Sequence, residues 1–426
     1  MLRILVINEV GPHVKNRISI LFEQIVPILS KKNKIEVFWL ISDKFSKKEV
    51  INFPCEILFW KDFRTAKEVI EKTNPSLIFL MPGQSTIDYS FLLTARFFKI
   101  LTCGWVEGTP MFTYIQNPKK RLKYLIKKSA EKKQIKDDKS SFKSIDYIRK
   151  NLFFIRSARA LRISCKNIIS DLYQQFLGTF FLKVNEIKSR GKFNCNLLLI
   201  ENEFSIEYGI KNGLLKDSMV MVGDPNYDLA FLKSKNSEPE TIRKPNVLFI
   251  TVNLANQAQS NWSIDNQNKM LDELSVEYEK LRDNFSLNMK IHPVSDDFNQ
   301  YKKILDKHNS HIKLFQHENI YELIEKADVI LTTATSTAGS IALIMNKPLI
   351  ILNYFNVEND LFLNSKVAID CNNISKIKEC VNDANLFNEK NKTEIKKFIK
   401  KYYGEGNAIQ KIVNAIENLV KSKGIS

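Results

Sequence analysis

Glycine and proline are scarce, at 13 and 12 residues in a chain of 426. That excludes collagen-like and proline-rich architectures. No run of about 18 uninterrupted apolar residues occurs, so a membrane-spanning helix is not expected. Met1-Leu2-Arg3 leads straight into Ile4-Leu5-Val6-Ile7, which leaves no room for a charged region and cleavage site, so a secretory leader is not expected either. The six cysteines (Cys55, Cys103, Cys165, Cys195, Cys371, Cys380) include no C-x-x-C pair. This speaks against structural zinc. They read as reduced core thiols in a cytoplasmic protein. Two phosphate-binding signatures are also missing. There is no G-x-x-x-x-G-K-[ST] loop, and no G-x-G-x-x-G follows the first apolar run. A P-loop ATPase and a simple dinucleotide dehydrogenase are therefore disfavoured, and neither a metal nor another cofactor is expected.

What is present is ordinary globular composition, 44% hydrophobic and 26% charged, which excludes a mostly disordered chain. Short apolar runs alternate with amphipathic segments. The runs are Leu2–Ile7, Ile35–Ile41, Leu77–Met81, Ile100–Val106, Asn196–Ile200, Met219–Val222, Val247–Val252, Asn288–Ile291, Ile312–Phe315, Val329–Thr332 and Pro348–Leu352. Many lack polar alternation, as parallel strands buried on both faces do. Segments such as Arg17–Ser30, Thr65–Lys72 and Ile320–Ala327 space their apolar residues as helices. The fold class is therefore α/β with two doubly wound, Rossmann-like domains facing a cleft. A polar stretch at 231–245 reads as the linker between a domain over 1–230 and a second over 246–426. The C-terminal helices, roughly 388–422, are expected to pack back on the first domain.

Charge is uneven. The chain carries +17 overall, and residues 111–166 hold seventeen basic and four acidic side chains, so +13 of the excess is local. Aromatic and aliphatic residues are interleaved there. The segment, at about 111–190, reads as a basic helical insertion. Its cations between Lys119 and Lys166 either face solvent or meet an anionic membrane surface. No nucleic-acid module accompanies it, so nucleic acid is not expected as a partner.

Three places could carry chemistry. Lys290-Ile291-His292-Pro293 ends a predicted strand, because Pro cannot continue a central ladder. His292 then stands at a carboxyl end, where a doubly wound domain binds ligand. It reads as a phosphate donor or proton donor, or as a loop histidine. The strand Asp328–Thr333 opens into Ala334-Thr335-Ser336-Thr337-Ala338-Gly339-Ser340. Such a hydroxyl-rich turn at a helix start suits a phosphate. Glu201, Glu203 and Glu207 follow another strand and read as helix residues rather than a metal site. Asp224 and Asp228, in Gly223-Asp224-Pro225-Asn226-Tyr227-Asp228, read as turn former and helix cap.

Together these landmarks resemble a family, the two-domain nucleotide-sugar glycosyltransferases of the GT-B fold. The second half carries the strand Val247–Val252 with its polar loop, Lys-Ile-His-Pro, Phe315-Gln316-His317-Glu318-Asn319, the Thr/Ser turn and Asn346-Lys347-Pro348. The His-Pro pair with the hydroxyl turn resembles bacterial sialyltransferases and related enzymes that use CMP-activated sugars. The same order resembles non-hydrolysing UDP-sugar 2-epimerases and glycerol-phosphate polymerising transferases. The epimerases follow their Gly-rich turn with a Glu that holds the ribose, and here Ser340 stands at that place. The sialyltransferase group has an acidic pair before Gly where this chain has Val106-Glu107-Gly108.

The resemblance implies sugar transfer from a nucleotide donor to an acceptor hydroxyl in bacterial surface polysaccharide synthesis. Glu107 would be the general base and His292 a catalytic phosphate contact. Thr335, Ser336, Thr337, Gly339, Ser340 and Pro293 would line the nucleotide phosphate. Asn253 and Asn256 would touch phosphate or acceptor, and Gln316, Glu318 and Asn319 would meet the base. Gly11, His13 and Gly108 would lie on the acceptor side. The partners implied are a nucleotide-sugar donor and a glycan or lipid-linked glycan acceptor. An enzyme in the cytoplasm, peripheral at the inner membrane face, would suit them.

Overall fold

The computed structural model describes residues 1–8, 12, 17–41, 53–82, 86–106, 139–181, 194–211, 214–234, 244–252, 263–293, 296–354 and 360–424; the side chains of 139–147, 174–181, 208 and 211 lie outside that description. The chain divides into two compact units. Unit 1 comprises Met1–Thr109, Gln116–Asn226 and Asn407–Ser426, and unit 2 comprises Pro110–Ile115 with Tyr227–Gly406.

Unit 1 is built on seven parallel strands: β1 (Leu2–Ile7), β2 (Ile35–Ile41), β3 (Glu56–Phe59), β4 (Leu77–Leu80), β5 (Leu101–Val106), β6 (Leu197–Ile200) and β7 (Met219–Met221). Their order is β3-β2-β1-β4-β5-β6-β7. The apolar runs split by alternation between two faces. Leu2, Ile4 and Val6 of β1 join a core formed with helices Arg17–Ser30 and Ala408–Lys421. Leu5 and Ile7 join a second core with helices Ala66–Thr73, Thr86–Phe98 and Lys139–Ala160. A strand buried on both faces has no polar side, which is why β4 and β6 read as unbroken hydrophobic runs.

Unit 2 repeats the plan with β8 (Asn246–Ile250), β9 (Ser286–Lys290), β10 (Lys313–Phe315), β11 (Val329–Thr332), β12 (Leu349–Leu352) and β13 (Ile369–Cys371), in the order β10-β9-β8-β11-β12-β13. All of these pairs are parallel. Val247 and Phe249 face one core, and Leu248 and Ile250 the other.

The structure departs from expectation in three respects. β3 and β13 were not read as strands; both are short edges, and Glu56 and Asp370 interrupt their apolar character. The units part between Asn226 and Tyr227, ahead of the polar stretch at 231–245. Tyr227 and Ala230 are buried in a unit 2 core, so that segment goes where its side chains pack. Of the C-terminal helices, Lys392–Tyr403 stays in unit 2, burying Ile395, Phe398 and Tyr403. Helix Ala408–Lys421 alone joins unit 1, through Ile412, Val413, Ile416 and Val420. The turn between these helices needs Gly406, at φ +77, where a Cβ would stand 2.9 Å from the Cβ of Phe231. Helices Lys139–Ala160 and Cys165–Phe181 occupy part of the expected insertion, while residues 107–138 lie outside the described residues. Among the described residues, no helix is long and apolar enough to cross a membrane.

Candidate functional site

The chain of unit 2 lays down β8, β9 and β10 toward one edge, then returns to the other side of β8 for β11, β12 and β13. The segments after β8 and β11 therefore diverge, and the crevice over those carboxyl ends is the natural ligand position. Thr251 and Val252 follow β8, and Thr333 to Ser336 follow β11.

Asp296 organises the β8 and β9 exits. Its Oδ2 accepts from the Thr251 hydroxyl at 2.6 Å and from the His292 amide at 2.9 Å. The His292 amide also lies 3.2 Å from Thr251 Oγ1. His292 and Pro293 are themselves exposed. The β10 exit is tied in by Gln316, whose side-chain amide donates to the Asp296 carbonyl at 3.0 Å. Beneath these loops Lys290 is buried, and its ammonium donates to the carbonyls of Ile291 (2.8 Å) and Gln316 (2.7 Å). Burial lowers the Lys290 pKa from its usual value, against the opposing pull of Glu318 and Asp296. The Glu318 carboxylate accepts the amides of Gln316 (2.8 Å) and His317 (3.0 Å). Backbone hydrogen bonds, first from its own amide, hold its carboxyl below the usual range. The Asn319 side chain caps helix Ile320–Lys326 by accepting from the Tyr321 amide. So three side chains of the Gln316–Asn319 loop are engaged locally, while His317 is exposed.

The hydroxyl turn is similarly self-bonded. Ser336 caps helix Thr337–Ile344, its Oγ accepting from the Gly339 amide at 3.0 Å. Ser340 is fully buried; its Oγ donates to the Ser336 carbonyl (3.0 Å) and shares a 2.8 Å hydrogen bond with the Tyr403 hydroxyl. That engagement removes Ser340 from the expected phosphate contacts. Gly339 is needed for packing, since a Cβ there would lie 2.7 Å from the Phe362 ring. Thr335 lies between the turn and helix Leu361–Asn364. Its amide donates to Asp360 Oδ2 at 2.6 Å, and its hydroxyl accepts from the Leu361 amide at 3.1 Å. Asp360 Oδ1 also accepts the amides of Phe362 (2.9 Å) and Leu363 (3.1 Å). The exposed Thr337 stands at the helix start with the half-buried Ala338, and the helix dipole there favours an anion. The Thr333 hydroxyl is buried without a hydrogen-bond partner among the described residues.

Sequence reasoning missed Lys290, Asp296 and Asp360 as the groups that hold these exits. A sequence signal existed for each: the Lys opens the Lys-Ile-His-Pro motif, Asp296 follows four residues after His292, and Asp360 precedes a helical apolar run as an N-cap. A surface groove lined by Asn268, Asp272, Gln300, Lys303 and Lys307 includes none of the strand-exit residues.

In unit 1 the exits gather a different set. Glu201, buried at the end of β6, accepts from Arg17 Nη1 and from Trp105 Nε1, both at 3.2 Å. Arg17 Nη2 lies 3.6 Å from Asp224 Oδ2. Asp224 Oδ1 accepts the Asn226 amide at 2.9 Å, the turn expected of it. Asp228 differs from expectation: Tyr227 occupies the cap position, and Asp228 is the first residue of helix Asp228–Lys233. Glu201 thus points inward as a structural anion, apart from Glu203 and Glu207 in helix Glu203–Lys211. Glu107, Gly108, Gly11, His13, Asn253 and Asn256 lie outside the described residues.

No family model matches this chain, and no curated protein matches it either. Solved structures do match in fold. The UDP-GlcNAc 2-epimerase of Neisseria meningitidis, solved with UDP-GlcNAc bound, is 15% identical over 98% of this chain and 100% of its own, with a TM-score of 0.53. The UDP-GlcNAc 2-epimerase of Methanocaldococcus jannaschii is 15% identical over 98% and 99%, with a TM-score of 0.52. A variant of the wall teichoic acid polymerase TagF is 11% identical over 99% and 90%, with a TM-score of 0.55. The chain therefore has a two-domain, GT-B-like α/β fold. These structures support the GT-B part of the sequence reading and do not show its sialyltransferase part.

Proposed function

We propose that this chain is a nucleotide-sugar glycosyltransferase of surface-polysaccharide synthesis, with unit 2 as its donor-binding part. The observation that carries the reading is the convergence at the unit 2 strand ends. There Asp296 fastens the His292 exit to β8, and β11, the neighbour of β8 in the sheet, opens into a capped helix start. The proposed phosphate contacts are His292, the exposed Thr337 and the backbone amides at that helix start. Glu107 is proposed to take the proton from the acceptor hydroxyl. When the donor bond breaks, negative charge grows on the departing phosphate, and groups already fixed around it lower the barrier most.

The donor is proposed to be a pyrimidine nucleotide sugar. The His-Pro motif favours CMP, whereas the epimerase structures bring UDP-GlcNAc forward. A second reading, a UDP-sugar 2-epimerase, is favoured by the nearly complete coverage of both chains in the match to the epimerase of N. meningitidis. Turnover of a UDP-sugar in the absence of any acceptor would decide for it. The transferase reading is tested by thermal-shift titration with CMP, CDP, UDP, GDP and ADP, because a ligand bound only by the folded state raises the melting temperature. A selective shift with a cytidine or uridine nucleotide, abolished by His292→Ala, is the expected result. Silence from all five refutes the nucleotide site.

A further inference from the structure

The helices that follow residue 138 carry a feature the donor site does not use. In helix Lys139–Ala160, Phe153, Phe154, Ser157 and Ala158 turn into the core of unit 1. The stacking of Phe154 on Tyr89, with centroids 5.5 Å apart, fixes that orientation. The opposite face presents Ile148, Leu152, Arg156 and Arg159, spaced four, four and three residues apart and all exposed. The next helix repeats the arrangement. Ile168 and Asp171 point inward, and Lys166, Ile169 and Tyr173 outward.

Two properties make these faces unusual. The four outward apolar side chains are 58% (Ile148), 42% (Leu152), 65% (Ile169) and 61% (Tyr173) exposed. Every exposed charged residue between 148 and 173 is basic, because the single acid there, Asp171, is buried and accepts the Tyr89 hydroxyl at 2.9 Å. Among the described residues, Arg149, Arg156, Arg159, Arg162 and Lys166 form no ion pair. These five cations repel one another unless an anionic surface faces them.

We infer that the outer faces of these two helices form a docking surface for an anionic lipid membrane. A soluble polyanion would satisfy the cations alone. The apolar side chains standing among them gain only where water is replaced by the apolar part of a lipid interface. The surface lies within unit 1 and does not depend on the identity of the donor.

The test uses the full chain and sedimentation with vesicles of phosphatidylcholine alone or containing about 30% phosphatidylglycerol. Binding is expected to the anionic vesicles only, fading as salt rises from roughly 50 to 500 mM and the Debye length shrinks. Arg156→Gln with Arg159→Gln is expected to lower the partition about 30-fold, the contribution of two surface cations. Ile148→Ser with Leu152→Ser is expected to lower it roughly tenfold with little change in melting temperature, since both side chains are exposed. Equal binding to both vesicle types, binding to neither, or indifference to the arginine pair overturns the proposal. Full competition by heparin or RNA together with indifference to the apolar pair assigns the surface to a polyanion instead and also overturns it.

Discussion

Asp360 is the residue whose loss should do most to the proposed donor turn. Its carboxylate takes three amide hydrogens: Thr335 at 2.6 Å, Phe362 at 2.9 Å and Leu363 at 3.1 Å. Asp360 is only 5% exposed, so water does not take over when the carboxylate goes. A charge-assisted hydrogen bond contributes about 1.5–3 kcal/mol, and a buried donor left alone costs about 1–3 kcal/mol. The three bonds share one carboxylate and do not add, so Asp360→Ala should destabilise unit 2 by about 2–4 kcal/mol. Asp360→Ser separates two roles. A serine can still cap helix Leu361–Asn364, restoring about 1 kcal/mol, but its side chain is too short to reach the Thr335 amide. Hydrogen exchange on peptides spanning β11 and β12 reads unit 2 apart from unit 1. The Ala variant should exchange there roughly 30- to 1,000-fold faster, at 1.36 kcal/mol per decade, with the Ser variant between it and wild type. Exchange in the Ala variant within about threefold of wild type, on the same scale, would refute the clamp.

Two further outcomes follow from the same packing rules. Gly339→Ala places a methyl 2.7 Å from Phe362, which is fully buried and packed edge-on against Phe398 with centroids 5.9 Å apart. The ring cannot retreat, so urea unfolding should show a loss of about 1–3 kcal/mol; a neutral result would mean that the Phe362 ring yields to the added methyl. Among the thiols, burial raises Cys55 to about 11 and Cys195 to about 12, whereas Cys165 is exposed. The thiolate is the reactive form, so at pH 8 roughly a thousandth or less of Cys55 and Cys195 is reactive. Mass-resolved labelling of the native protein should mark Cys165 first, and early labelling of Cys195 would contradict the packing around it.

Much of the fold could be read from the chain because the parallel strands are buried on both faces. Runs such as Leu-Leu-Leu-Ile in β6 leave little else to be. Edge strands β3 and β13 escaped because half their environment is solvent and their sequences are mixed. The polar stretch at 231–245 marks a place where the chain can be exposed, which is different from the place where contacts change hands. Tyr227 and Ala230 had already joined unit 2. The two last helices are both amphipathic, and nothing local says which core each one covers. At the site, Pro293 made the β9 exit legible. The groups that hold the exits were not legible, because their partners come from far along the chain: Asp360 lies 25 residues from Thr335, and Tyr403 lies 63 from Ser340.

That distance changes what the hydroxyl-rich turn means. Four hydroxyls beside a helix start suggest side-chain contacts to phosphate, yet Ser336 caps, Ser340 bonds inward and Thr335 accepts from helix Leu361–Asn364. The hydroxyls of Thr335, Ser336 and Ser340 build the turn, and the phosphate contacts we propose are the backbone amides, Thr337 and the exposed His292. Stability and function should therefore separate. Ser340→Ala removes a buried hydroxyl and should cost about 1 kcal/mol in urea unfolding, with turnover per folded molecule unchanged. His292→Ala removes an exposed side chain and should leave the melting temperature within a few degrees while cutting turnover by ~10²–10³, the range for one lost charge-stabilising donor. The opposite pattern, with Ser340→Ala inactive but stable and His292→Ala active but unstable, would mean that the hydroxyls face the ligand and that His292 belongs to the framework.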